Sequence, residues 1–279
     1  MSRVNLLRRL TRAIMWVVLV GAMAFAFLPI LWGLSTALKE SGAAEGFPPQ
    51  WVPRPATLEN FRQVLIGSNL TRYLWNSTIV AVLTIVATLA VAVHAGYAAA
   101  RFTFAGKNQL LFVILATAMI PGICILVPVY LLVTGARLHN TYLALVLVYT
   151  AWQVPTAVWI MRGFFETIPP DLEEAALIDG CSRLGAFYRI ILPLTQPGMA
   201  AVGILVFVYV WNDFLIAYVL TISDEMRLIQ SGLYLYVTAF GVEWSKLMAA
   251  SVLALLPPAA TFVLFQSRFI QGLTKGAIK

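Results

Sequence analysis

Six long apolar runs limit what this chain can fold into. They cover about residues 13–38, 73–97, 110–133, 142–165, 198–221 and 247–270. A helix that crosses the hydrocarbon core of a bilayer needs about 20 mostly apolar residues. Inside lipid every backbone N–H and C=O must be satisfied within the protein, and a helix does this within one segment. The pattern therefore predicts an all-α, polytopic membrane protein with six transmembrane helices, arranged as a single domain over 1–279. Composition agrees, since 61% of the residues are hydrophobic and only 11% are charged. A soluble domain carries about 25% charged residues, so this chain has too little polar surface to cover itself in water.

Orientation follows from where Lys and Arg fall between the runs. One side holds Arg3, Arg8, Arg9, Arg12, Arg101, Lys107, Arg162, Arg183, Arg189, Arg268, Lys275 and Lys279, twelve in all. The other holds Lys39, Arg54, Arg62, Arg72, Arg137, Arg227 and Lys246, seven in all. The first side is therefore expected to be cytoplasmic, with both termini on it. The net charge of +7 is then a topology signal, and nucleic-acid binding drops out. The basic N-terminus could open a signal peptide, but the apolar run behind it exceeds the usual 7–15 residues. An uncleaved first span is the expectation.

On the outer side, the loop 39–72 carries Pro48, Pro49, Pro53 and Pro55, which block a regular helix. Thr57 is placed to cap a short helix after them. Trp51 and Phe61 suit an interfacial position, as do Tyr234, Tyr236 and Trp244 in a second outer segment, 223–246. These segments read equally well as plain connections or as a docking surface for an external partner.

The charged segment EEAALIDGCSRLGAFYRIILP, residues 173–193, lies between the fourth and fifth runs. Pro169 and Pro170 end the fourth span. Asp171 is placed to cap a short helix, with Glu173 and Glu174 in its first turn, where the helix dipole favours negative charge. Leu172, Ala175 and Ala176 share one face at helical spacing, and Gly180 suits a left-handed helix end. Leu184, Phe187, Ile190 and Ile191 then recur at helical spacing before Pro193 and Pro197. A helix-turn-helix across the cytoplasmic mouth, within a loop of 166–197, is expected. An interfacial amphipathic helix with no partner is the alternative on pattern alone. Gly180 and Gly185 have the spacing of a phosphate-binding loop. Such a loop requires Lys and then Ser or Thr next, whereas Ala186 and Phe187 follow here, so the chain itself is not expected to bind ATP.

Glu174-Ala175-Ala176, then Gly180, Ile190 and Leu192-Pro193, resemble the EAA signature of permease subunits in bacterial binding-protein-dependent ABC importers. With WNDF in the fifth run and the ending QGLTKGAIK, the chain looks like the smaller inner-membrane permease of the maltose-type carbohydrate family. The resemblance covers most of the chain. It implies that Glu173, Glu174, Ala175, Ala176, Asp179, Gly180, Ile190 and Pro193 couple the permease to an ATPase, with residues 272–279 adding contacts. It implies as partners a second permease subunit, a cytoplasmic ATP-binding subunit dimer, an extracytoplasmic solute-binding protein and a sugar. ATP and Mg would sit on the partner ATPase, and this subunit would be no enzyme.

Polar residues inside the runs are the other candidates. Asn212 and Asp213 in the fifth run and Gln153 in the fourth read as possible translocation-path residues, because a carboxylate in lipid must face protein or water. A structural hydrogen bond to a neighbouring span, or to the partner permease, explains Asp213 slightly better. Thr84 and Thr88 suit bonds across helices. Pro121, Gly122, Pro128 and Pro155 mark kinks. Cys124 and Cys181 fall at different depths, which argues against a mutual disulfide. His94 and His139 lie too far apart in sequence for a zinc-type cluster, so no metal site is expected. Three rival functions remain: an importer permease for another solute such as a glycerol phosphate or an amino acid, an ion-coupled secondary transporter, and a channel, for which no filter-like loop stands out.

Overall fold

A computed structural model describes the backbone of residues 3–277 and the side chains of residues 9–266. The helices are α1 (Arg3–Ala37), α2 (Glu59–Ile66), α3 (Leu70–Arg101), α4 (Lys107–Thr117), α5 (Gly122–Gly135), α6 (Tyr142–Glu166), α7 (Asp171–Ile178), α8 (Arg183–Ala186), α9 (Leu192–Leu194), α10 (Gln196–Asn212), α11 (Leu215–Leu220), α12 (Ile229–Leu233) and α13 (Trp244–Ala277). The all-α expectation is broken once, by a hairpin of β1 (Val237–Thr238) and β2 (Gly241–Val242). It pairs Val237 with Val242 and Thr238 with Gly241, antiparallel. The chain forms two compact units, Met1–Leu70 with Leu233–Leu256, and Thr71–Gly232 with Pro257–Lys279.

In the first unit, α1 presents exposed apolar side chains along most of its length, Trp16, Val17, Phe25 and Leu31 among them. Its C-terminal carbonyls lack helical partners, and the loop 39–72 supplies them. Buried Asn60 donates through Nδ2 to the carbonyls of Ala37 at 2.8 Å and Lys39 at 2.7 Å. The Thr57 N–H donates to Leu38 O at 2.9 Å. Thr57 Oγ1 accepts from the Glu59 N–H at 3.1 Å, but Leu58 occupies the N-cap of α2 and no side chain caps it, so the cap expected of Thr57 is corrected. The proline-rich stretch is pinned as well. Ser35 Oγ donates to Trp51 O at 2.6 Å, and Trp51 meets Trp32 edge-on with ring centroids 4.7 Å apart. The Lys39 ammonium lies 4.3 Å from the centre of the Trp32 ring, a cation–π contact.

In the second unit, α3 and α6 run side by side in the same direction. At their N-terminal ends Tyr142 Oη donates to Asn76 Oδ1 at 2.7 Å. Near their C-terminal ends Gly96 packs directly on Met161 and Arg162. Asn76 Nδ2 also donates to the carbonyls of Glu225 and Arg227, and Ser77 Oγ accepts from the Ile229 N–H at 2.8 Å. Asn140 holds the same segment, 222–229, by accepting from the N–H groups of Ile222 and Ser223.

Four helices, α1, α3, α6 and α13, are individually long and apolar enough to cross a membrane, and two bent pairs raise the number to six if each is one span. The expected third span is such a pair, with α4 and α5 meeting at 92°. Pro121 lacks an N–H and cannot continue a helical ladder, and it stands at ψ 130° just before α5. Pro128 and Pro155, also expected as kinks, are accommodated inside α5 and α6. The expected fifth span, 198–221, is bent just before its start and cut once within it. The helical stretch Arg183–Leu194 meets α10 at 69°, and the helix stops again at Asp213, whose ψ is 127°.

Candidate functional site

The segment 171–193 forms the short helix α7, a turn, and a second helical stretch that begins at α8. Pro170 occupies the N-cap of α7 and no side chain caps it, so Asp171 is the first helical residue and not the cap expected. Asp171, Glu173 and Glu174 fill the first turn, where their charge opposes the helix dipole. The helix ends as its sequence predicts. Gly180 has φ +86°, the Cys181 N–H returns to Ala176 O at 2.9 Å, and the Gly180 N–H returns to Leu177 O at 3.1 Å. This pair of bonds is a Schellman closure. Ser182 then caps α8 by accepting from the Gly185 N–H at 3.1 Å. A π-helical turn, Phe187–Ile191, follows.

The two faces of α7 differ. Glu173 turns inward, where Tyr97 Oη donates to Glu173 Oε1 and Arg101 Nε lies 3.3 Å from Glu173 Oε2. Ala176 is only 4% exposed. Glu174, Ala175, Asp179 and Gly180 all face outward, and Ile178 is 87% exposed. The expected shared face of Leu172, Ala175 and Ala176 is thus corrected. Ala176 packs inward, while Leu172 and Ala175 are exposed, because Glu173 at i−3 draws Ala176 to its own side. In the second half Phe187 and Ile191 are buried, Ile190 is half-buried, and Leu184 and Pro193 are exposed. Phe187 anchors an aromatic cluster, 4.6 Å from Tyr97, 5.5 Å from His94 and 6.1 Å from Phe165 between ring centroids.

Asp213 is a structural acceptor at the break in the fifth run. Its Oδ2 accepts from Tyr149 Oη at 2.9 Å and from the N–H groups of Ile216 at 3.0 Å and Ala217 at 3.1 Å. It thereby caps α11 and ties it to α6. Asn212 is exposed, with Nδ2 donating to Val208 O at 2.8 Å. Gln153 is half-buried on α6, one turn beyond Tyr149. None of these three lines the cavity of about 530 Å³ that Thr78, Ile85, Leu89, Gln196, Phe207 and Thr261 help to enclose. Thr84 and Thr88 are fully buried, and their hydroxyls have no hydrogen-bond partner among the described residues. They do not make the cross-helix bonds expected of them. Cys124 and Cys181 are free. Among the described residues no group of His, Cys, Asp or Glu is placed to hold a metal ion. The ending QGLTKGAIK lies outside the described side chains, and Ile278 and Lys279 lie outside the described residues altogether.

An acceptor that serves three donors should matter for stability first. Asp213→Ala leaves Tyr149 Oη and two backbone N–H groups without a partner, at a cost of about 1–3 kcal/mol. Asp213→Asn keeps a carbonyl oxygen and should cost less. Thermal melting of the detergent-solubilised protein checks this. Unchanged melting combined with lost uptake would instead assign Asp213 to the path.

A bundle of apolar, bent helices carrying a polar helix-turn-helix is the architecture of a multi-pass membrane permease. The family described as "Binding-protein-dependent transport system inner membrane component" matches residues 92–275, and the chain belongs to it. Similar proteins span nearly the whole length. The sulfoquinovosyl glycerol transport system permease protein SmoH of Agrobacterium fabrum is 37% identical, covering 90% of this chain and 88% of that one. The trehalose/maltose transport system permease protein MalG of Thermococcus litoralis is 34% identical, covering 94% and 95%. The diacetylchitobiose uptake system permease protein DasC of Streptomyces coelicolor is 33% identical, covering 90% and 91%. In fold the chain matches a crystal structure of a bacterial ABC transporter involved in the import of the acidic polysaccharide alginate. The TM-score is 0.81 at 21% identity, covering 96% of this chain and 99% of that one. The reading of the EAA segment as the mark of an importer permease is borne out. The protein is a multi-pass inner-membrane transport subunit that works with a solute-binding protein, and it is not itself an enzyme.

Proposed function

We propose that this chain is one of a pair of permease subunits that together carry a sugar or oligosaccharide inward, and that its segment 171–193 docks on a separate ATPase dimer. ATP and Mg belong to that partner. Both termini and the segment face the cytoplasm in this reading, which the charge distribution between the spans supports. The sugar cargo is supported by the relatives, whose names refer to sulfoquinovosyl glycerol, trehalose or maltose, and diacetylchitobiose. The observation that carries the docking role is the construction of α7. It is closed by a Schellman turn, held from within by Glu173 and Ala176, and free on the face that bears Glu174, Ala175 and Ile178. A rigid short helix with one face held and the other free is suited to enter a cleft and to transmit its movement. The residues 272–279 are a second contact in this reading.

The test is uptake by proteoliposomes that hold the chain with its second permease and ATPase, with the binding protein outside. A panel of mono- and oligosaccharides is offered beside an amino acid and glycerol 3-phosphate. Uptake of a saccharide, dependent on both ATP and the binding protein and indifferent to a protonophore, is the expected result. Uptake that persists without ATP and collapses with the proton gradient would overturn the reading in favour of a secondary transporter. Uptake of glycerol phosphate or an amino acid alone would overturn the sugar assignment.

A further inference from the structure

We propose that Tyr97 and Arg101 are positioning residues that fasten the coupling segment to the inner end of α3, so that α3 carries its movement across the membrane. The inference rests on the reading of 171–193 as the ATPase-docking segment. One carboxylate is met at both oxygens: Tyr97 Oη donates to Glu173 Oε1, and the Arg101 guanidinium pairs with it by charge, Nε lying 3.3 Å from Glu173 Oε2 without making a hydrogen bond. Arg101 Nη2 also donates to Ile168 O at 2.8 Å. Ile168 directly precedes Pro169-Pro170, so Arg101 holds the chain on both sides of the turn that leads into α7. The Arg101 and Glu173 side chains are 12% and 13% exposed. An exposed ion pair is too weak and too mobile to act as a fastening, whereas a buried one fails sharply when a partner is lost. Tyr97 adds packing to the hydroxyl bond, with its ring centroid 4.6 Å from that of Phe187 and 5.5 Å from that of Phe165. The end of α6, the first turn of α7 and the start of the π-helical turn therefore meet on one side chain of α3.

The other end of the same helix is fastened too. Asn76 donates to the carbonyls of Glu225 and Arg227, and Ser77 accepts from the Ile229 N–H. From residue 76 to residue 97 an unbroken helix spans about 30 Å, close to the thickness of a bilayer core. A displacement imposed on the outer face of α7 is thus delivered through Glu173 to α3, and through α3 to the segment 222–229. Without the fastening, α7 moves on its loop and α3 stays behind.

The experiment uses the assembled importer in nanodiscs, with Cys124→Ser and Cys181→Ser as background and spin labels at Ile178→Cys on α7 and Val86→Cys on α3. With Tyr97 and Arg101 intact, the label distance should be narrow and the same with and without ATP and Mg. In Tyr97→Phe and Arg101→Gln it should broaden and change with nucleotide, and in the same two variants without labels, with Ile178 retained, solute moved per ATP should fall about five- to tenfold, within the range of ordinary coupling energies. Tyr97→Phe retains the ring packing, so it folds and isolates the hydroxyl. Arg101→Lys, which keeps the charge without the fork, should lie between. Unchanged distance distributions together with unchanged solute per ATP in both variants would overturn the inference. A separate outcome concerns the reading beneath it: a label at residue 178 whose mobility is unaffected by adding the ATPase shows that α7 does not dock, and both then fall.

Discussion

Gly96→Val should abolish accumulation of folded protein in the membrane, and Gly96→Ala should lower the melting temperature of what remains. A Cβ at residue 96 would stand 2.8 Å from Met161 Cβ, 2.9 Å from Arg162 N and 3.2 Å from Met161 C. Two of these are backbone atoms of α6 and none is the end of a flexible side chain, so the only relief is to separate α3 from α6. Met161 is fully buried, and Tyr97 and Arg101 lie within five residues on the same helix, so separation also pulls on Glu173. Overpacking of this kind costs about 1–3 kcal/mol for a modest insertion, and a β-branched side chain against backbone exceeds that. Association of helices in lipid depends on this kind of close approach by small residues. Two other glycines set the scale. A Cβ at Gly198 would stand 2.5 Å from Phe164 Cγ, an atom that ring rotation leaves in place, so the whole Phe164 side chain must swing away and Gly198→Ala should also lower the melting temperature. Gly163 has nothing within 4 Å, so Gly163→Ala should be neutral or gain up to about 1 kcal/mol from helix propensity. Size-exclusion profiles and melting curves of the four variants in one detergent decide the order.

What the sequence showed in advance, and what it did not, divides along the range of the forces involved. The spans were legible because each apolar run answers to lipid on its own account, and the end of α7 was legible because a left-handed glycine is a local property. The 92° angle between α4 and α5 was not legible: Pro121 marks where a helix must stop, but the direction of the next one is set by what it packs against. The faces of α7 were hidden for the same reason. Helical spacing places Leu172, Ala175 and Ala176 near one another, and only the carboxylate-binding pair on α3, far away in sequence, decides that Ala176 goes inward with Glu173. Arg101 was read as a topology charge at the end of an apolar run, and its partner was not visible. Asp213 is a residue type favoured at helix starts, but in a long apolar run nothing announced that a helix would stop and restart there. The hairpin at 237–242 has no Asn-Gly or Asp-Gly turn to announce it.

Gly180→Val should reduce uptake by the assembled importer at least about tenfold while leaving the chain inserted and close to its normal melting temperature. The residue has φ +86°, and a Cβ there would meet nothing within 4 Å. Crowding is therefore not the issue, and the whole penalty is the backbone conformation, about 1–2 kcal/mol for an L side chain in the left-handed region and more for a β-branched one. The bonds at stake are those from the Cys181 and Gly180 N–H groups back to Ala176 and Leu177. Losing them frays the last turn of α7, which moves Ile178 and Asp179 on the exposed face and leaves Glu173, two turns earlier, in place. Insertion depends on the spans, so it survives. Coupling depends on the shape of the lever, so it does not. Gly180→Asn, which tolerates the left-handed region, should retain much of the uptake, and Gly180→Ala should lie between. Glu174→Ala supplies the complementary case. Its side chain is exposed and its loss costs the fold little, so any fall in uptake reports contact with the partner alone. A frayed lever and a missing contact separate in the ATPase-binding assay: Glu174→Ala should weaken association of the ATPase, while Gly180→Val should lower solute moved per ATP even when the ATPase is saturating. Full uptake by both variants would remove the coupling role from this segment.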